Sequence, residues 1–100
     1  MGDYPLAQTV KSGEINVTAA AVQMPDVACK MVMFMGATGN SGTCYIGGAG
    51  VTIPDGTADA TSGWPIAADG ETGWIPIDNL NALYVIGSSA GDDLHYIAVL

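Results

Sequence analysis

One hundred residues are enough for one domain with a single core. Ten acids stand against Lys11 and Lys30, with no arginine and a net charge of −8. Nucleic-acid binding and attachment to anionic lipid both draw on Lys and Arg, so neither fits this composition.

Only 12% of the residues are charged, while 49% are hydrophobic. Average usage is about 25% charged, so apolar and weakly polar groups must face outward in this chain. Exposed apolar area of that kind marks an oligomer or assembly interface. The alternative is a monomer surfaced with Gly, Ser, Thr, Asn and Ala, which are also abundant here. No apolar stretch approaches the ~20 residues of a membrane span. The start, MGDYPLAQTV, has neither the basic nor the apolar region of a secretory signal. Pro5-Leu6 also leaves the sixth position without the Ser or Thr that myristoylation expects. In a chain without an export signal, Cys29 and Cys44 are expected as reduced thiols rather than a disulfide. The sequon Asn16-Val17-Thr18 carries no weight without secretion.

In chain order, residues 1–13 read as either a frayed lead or an arm laid on a neighbour, and residues 14–100 as the β-domain. Residues 14–21 alternate, with Ile15 and Val17 on one side and Glu14, Asn16 and Thr18 on the other, as a half-buried strand does. Val22-Gln23-Met24-Pro25-Asp26 reads as the turn that ends it. The run Val32-Met33-Phe34-Met35 lies between Pro25-Asp26 and the glycines at 36, 39 and 42. Its length and the closing glycines favour a strand covered on both faces over a buried helix. Residues 28–37 and 43–47 are therefore expected to form a hairpin at the centre of the fold, a local pairing that closes at low entropic cost.

Gly47-Gly48-Ala49-Gly50 predicts an irregular corner. Extension resumes at Val51-Thr52-Ile53, and Pro54-Asp55-Gly56 is a strong turn signal. Residues 57–63 read as a small-residue loop and 64–67 as a return to the core. Residues 71–77 alternate, but Pro76 cannot donate to a ladder, which predicts an edge strand. Residues 78–83 suit one helical turn capped by Asp78. Two more strands follow at 83–87 and 95–100. Turn signals about every ten residues, with no long helical period, predict an all-β fold: a small antiparallel β-sandwich or jelly-roll-like barrel.

Residue chemistry points away from catalysis. His95 is the single histidine and would need Asp93 and a serine to make a triad, with no nucleophile elbow in sight. Two distant cysteines and one histidine fall short of a zinc set. Asp55, Asp59 and Asp69 lie in loops without EF-hand spacing, which reads as solvation rather than Ca²⁺ binding. The glycines at 47–50 lack the Lys-Ser/Thr of a phosphate loop. Met31, Met33 and Met35 share one strand face, where core filling is the expectation. Trp64 and Trp74 read as core or interface packing, with ring or sugar stacking as the alternative. The expectation is a protein that is not an enzyme and has no cofactor or metal.

Ordered pieces of the chain carry a family resemblance. They begin with Ala21-Val22-Gln23-Met24-Pro25 and Cys29-Lys30-Met31-Val32. Gly39-Asn40-Ser41-Gly42, Tyr45-Ile46-Gly47-Gly48, Val51, Pro65-Ile66 and Gly70-Glu71 continue it. Asp78-Asn79-Leu80, Leu83-Tyr84-Val85-Ile86-Gly87 and Asp93-Leu94-His95-Tyr96-Ile97 complete it. In that succession residues 14–100 resemble the small virion structural proteins of tailed bacteriophages, the group that includes capsid decoration (cement) proteins. Residues 54–63 depart from the pattern by being longer.

The resemblance implies a protein made in the host bacterial cytoplasm and carried on the virion at the capsid surface. There it would dock on the major capsid protein and tie capsomers together. It also implies self-association, as a homotrimer or a dimer. Tyr4, Pro5 and Leu6 of the arm, with Asp55, Trp64 and Trp74, are the expected contact residues. A second reading puts the domain in a tail or head fibre, where Trp64, Trp74 and Tyr45 would meet host-surface glycan. A third is a cellular β-sandwich adaptor.

Overall fold

The computed structural model describes residues 9–100. Its strands are β1 (Val10–Asn16), β2 (Val22–Gln23), β3 (Met31–Gly36), β4 (Cys44–Gly47), β5 (Trp64–Ile66), β6 (Ile75–Pro76), β7 (Tyr84–Gly87) and β8 (Asp93–Val99). Successive side chains on a strand point to opposite faces, and the long strands follow that rule. Leu94, Tyr96 and Ala98 of β8 and Val32 and Phe34 of β3 are buried, while the residues between them are not. Cys44 and Ile46 of β4, Ile66 of β5 and Val85 of β7 face them from the other layer and complete the core with Leu80.

Two four-stranded antiparallel sheets result, in the orders β1-β8-β3-β6 and β2-β7-β4-β5. The pairs β1·β8, β2·β7, β3·β6 and β4·β5 are nested about one midpoint, the loop at 48–63. The chain is thus one long two-stranded ribbon, rolled so that β3 also meets β8 and β4 also meets β7. That is the jelly-roll arrangement of eight strands in two Greek keys, and the all-β sandwich expected from the turn spacing is the observed fold.

The central hairpin expected at 28–47 does not form. β3 lies in one sheet and β4 in the other, so the glycine-marked connection between them crosses the sandwich. Its path is set by partners remote in sequence. The N–H groups of Ser41 and Gly42 donate to the carboxylate of Asp92 at 3.0 and 2.8 Å. Asn40 and Asp93 exchange two bonds: Asn40 Nδ2 donates to the Asp93 carbonyl at 2.8 Å, and Asp93 N–H donates to Asn40 Oδ1 at 2.9 Å. Gly36 ends β3 where the backbone at 67–70 crosses it; a Cβ there would lie 2.3 Å from the Ala67 carbonyl oxygen.

Other boundaries also move. β1 starts at Val10, so 10–13, expected in the arm, lie in a sheet, and Glu14 and Ile15 continue that strand. Val22 and Gln23, expected in a turn, pair with Val85 and Tyr84. Residues 51–53 make only an isolated bridge, Thr52 with Ser62. The helical turn is a 3-10 turn at Leu80–Ala82, capped by Asn79 rather than Asp78, because Asn79 Oδ1 accepts from Asn81 N–H at 2.9 Å. Pro76 does stand on an edge strand.

Candidate interaction surfaces

The sandwich is unevenly closed, and the gap is at the β5–β6 edge. Trp64 pairs with Ile46 and lies two residues before buried Ile66, so it stands on the core side of β5. It is nevertheless 66% exposed. The reason lies in the facing sheet, whose edge strand β6 has only Ile75 and Pro76 and does not reach over it. A cleft of about 260 Å³ is left there, lined by Ile46, Gly47, Trp64, Thr72, Ile75 and Leu83. Its lining is mostly hydrocarbon and indole. The one side-chain hydroxyl, on Thr72, already accepts from Phe34 N–H and donates to the Gly73 carbonyl.

A second surface is the outward face of the β1-β8-β3-β6 sheet. Val10, Val99, Met31 and Pro76 stand in one row across all four strands, and Ser12, Ile97 and Met33 in the next. The third row turns polar, with Glu14, His95, Met35 and Glu71. A shallow depression of about 190 Å³ lies between Met33, Met35, Ile97, His95 and Glu71. The three methionines expected to fill the core therefore face out, because Val32 and Phe34, the alternate residues of the same run, take the inner side.

Among the expected contact residues, Tyr4, Pro5 and Leu6 lie outside the described residues. Asp55 is in an exposed turn, where its carboxylate accepts from Thr57 N–H at 2.9 Å. That bond holds its pKa below the usual carboxylate value. Trp74 is 48% exposed. Trp74 does not line the cleft; as the chain neighbour of Ile75, which does, it takes the opposite, outward side. Tyr45 lies on the outward side of the other sheet, between Pro65 and Ile86. Trp64, Trp74 and Tyr45 therefore belong to three different surfaces. Sequence reasoning missed the Val10–Val99–Met31–Pro76 row; the Met-x-Met-x-Met alternation was the available signal, read to the wrong side.

The polar groups of the interior serve the fold. Asp92, 4% exposed, accepts from the connection between β3 and β4 and offers its carbonyl to Val17 N–H at 2.8 Å. Burial, and then the charges of Asp92 and Asp93, raise the Cys44 thiol to about 11. Burial and Asp78 raise Cys29 as well, and its thiol donates to the Ile77 carbonyl at 3.4 Å. Both cysteines are free thiols. His95 stands across from Glu14 and Met35, and among the described residues no hydrogen bond joins it to Asp93. No three His, Cys, Asp or Glu side chains among the described residues converge as a metal site. No described helix is long and apolar enough to cross a membrane. Comparison with protein-family models, curated proteins and solved structures found no match.

Proposed function

We propose that this domain is a structural protein that works by docking on protein neighbours, as a decoration (cement) protein of a tailed-phage capsid. One observation carries the docking half of this reading: a tryptophan on the core side of its strand is 66% exposed above an apolar cleft. A large inward ring without cover is the kind of site a partner side chain completes, and tryptophan is enriched among residues that dominate interface energy. The capsid half rests on the sequence resemblance and on analogy with jelly rolls, which recur in viral capsid and lectin domains. The partners proposed are the major capsid protein and further copies of this chain, arranged as a trimer or a dimer around a lattice axis. In this role the domain bridges neighbouring capsomers and raises the work needed to part them.

The glycan reading needs rings gathered on one face, and Trp64, Trp74 and Tyr45 are spread over three. Purified protein added to undecorated capsids tests the proposal. Saturable occupancy with a higher shell-disruption temperature is expected, and Trp64→Ala should bind more weakly. Saturable binding without added resistance to heat would sink the cement role.

A further inference from the structure

Among the described strands, β1 and β6 form the edges of one sheet and β2 and β5 those of the other. An edge strand presents a row of unpaired backbone groups, and native proteins blunt such rows with short strands or proline. Three of these edges are blunted in that way. β2 and β6 have two residues each, and β5 has three with Pro65 in the middle. β1 is the exception: seven residues, Val10–Asn16, without proline and exposed along most of their length.

The direction of its free backbone groups follows from its partner. Leu100 N–H donates to the Thr9 carbonyl at 2.7 Å and Val17 N–H to the Asp92 carbonyl at 2.8 Å, so the odd-numbered residues bond towards β8. Hydrogen-bonded and non-hydrogen-bonded pairs alternate along an antiparallel ladder. Val10, Ser12, Glu14 and Asn16 therefore turn their backbone groups to the open edge, where no strand among the described residues meets them.

We propose that β1 pairs with β1 of a second copy, antiparallel about a two-fold axis at Gly13, joining two four-stranded sheets into one. Charge argues for a second copy as the occupant. The chain carries −8 overall, yet β1 sets Lys11, one of its two cations, against a single acid, Glu14. This edge is where another acidic chain meets the least repulsion. Charge and geometry also fix the register. The two-fold keeps each face of the sheet on its own side, so opposed residues must share a face. An axis at Lys11 or Glu14 would set like charges directly opposite each other, which is destabilising. An axis at Ser12 matches only residues 10–14 within the strand. Centring on Gly13 uses the whole strand: Val10 with Asn16 and Ser12 with Glu14 exchange hydrogen bonds, and Lys11 stands across from Ile15. Such an isologous contact closes at two, which selects the dimer over the trimer. The pairing is independent of the Trp64 cleft on the other sheet, so its failure would leave the capsid titration unchanged.

Sedimentation equilibrium on the full chain, from micromolar to millimolar, should show monomer and dimer in exchange. Mixed labelled and unlabelled chains should give an intermolecular Overhauser contact between the Hα protons of Lys11 and Ile15, which a non-hydrogen-bonded pair brings close. Ser12→Lys places a cation opposite Glu14 and should tighten the dimer about three- to ten-fold, while Ser12→Glu should weaken it by a similar factor. Weakening by Ser12→Lys would set Ser12 opposite itself and overturn the proposal. Ser12→Pro removes an N–H that points away from β8, so it spares the β1·β8 ladder and should leave a folded monomer. The two charge variants stay readable even where proline unsettles the strand. A parent protein that remains monomeric at millimolar concentration, one that closes as a trimer, or a folded Ser12→Pro variant that still associates would each overturn the proposal.

Discussion

Phe34 and Trp64 occupy equivalent situations and meet opposite fates. Each is an aromatic residue on the core side of a strand, Phe34 opposite Tyr96 and Trp64 opposite Ile46. Phe34 is 0% exposed and Trp64 is 66% exposed. Pairing decides which side of a sheet a residue takes, whereas burial depends on whether the other sheet extends far enough to cover it. Phe34 sits in the middle of its sheet, on β3 between β8 and β6, and the second layer closes over it. Trp64 sits at an edge, facing a strand of two residues. Identical alternation therefore yields a core at one place and an open site at the other.

The largest test of that contrast is Phe34→Ala. Removing a sealed aromatic side chain from a jigsaw-packed core costs about 3–5 kcal/mol, a large share of a small domain's stability. Denaturant unfolding should place the variant near or below the folding threshold; a loss under about 1 kcal/mol would mean the layers close poorly over Phe34 too. Next comes Asp92→Ala, which removes the acceptor for the N–H groups of Ser41 and Gly42 at the sheet-crossing connection. Hydrogen bonds to a charged group are worth about 1.5–3 kcal/mol each, with some relief where water reaches the freed donors, so a loss of about 2–4 kcal/mol is expected. Asp92→Asn keeps one acceptor oxygen and should recover part of it. Gly36→Ala is expected to cost about 1–3 kcal/mol, because its Cβ meets backbone at the Ala67 carbonyl, and one strand must move.

The sealed region should also answer to pH. The Cys44 thiol is raised from 9.0 to about 11 by burial, then by Asp92 and Asp93. The folded chain therefore holds this proton more tightly than the unfolded chain does. Its contribution is complete below the unfolded value of 9.0 and is lost as pH rises through about 11. Relative to Cys44→Ala, the parent protein should lose stability across that window. A constant difference between the two denaturation midpoints from about pH 8 upward would contradict the sealed position assigned to Cys44.

Phe34 and its neighbours also show what the sequence made readable. β7 and β8 were legible from turn spacing and alternation, and Pro76 announced an edge because it lacks an N–H for a ladder. The run from Met31 to Met35 is apolar on both sides, so no pattern within it tells which side is sealed. That answer comes from the layer supplied by β4, β5 and β7. Gly39 and Gly42 mark a change of direction but not its destination; Asp92, fifty residues on, holds the connection across the sandwich. The pairing of β1 with β8 joins opposite ends of the described chain, and no local signal carries it. Trp64 stands among the contact candidates that the sequence suggests, but its exposure was not legible there, because it depends on the shortness of β6, which is a property of a different strand.

The smallest expected effect on stability falls on Trp64→Ala, and it separates the two regions most sharply. A ring that already meets water over two-thirds of its surface has little transfer energy left to lose, so unfolding should shift by about 1 kcal/mol or less. A value approaching that of Phe34→Ala would show the corner to be closed in solution, and the open-site argument would fall with it. The same substitution should weaken partner binding far more than it weakens the fold, because truncating a central tryptophan at an interface commonly costs about 2 kcal/mol or more. Titrating undecorated capsids with the two proteins, at a temperature where both remain folded, reads that difference directly. If Trp64→Ala binds as tightly as the parent, the cleft is bypassed. The docking surface must then be sought on the outward sheet faces, beginning with Met33 and Ile97 on one side and Tyr45 and Ile86 on the other.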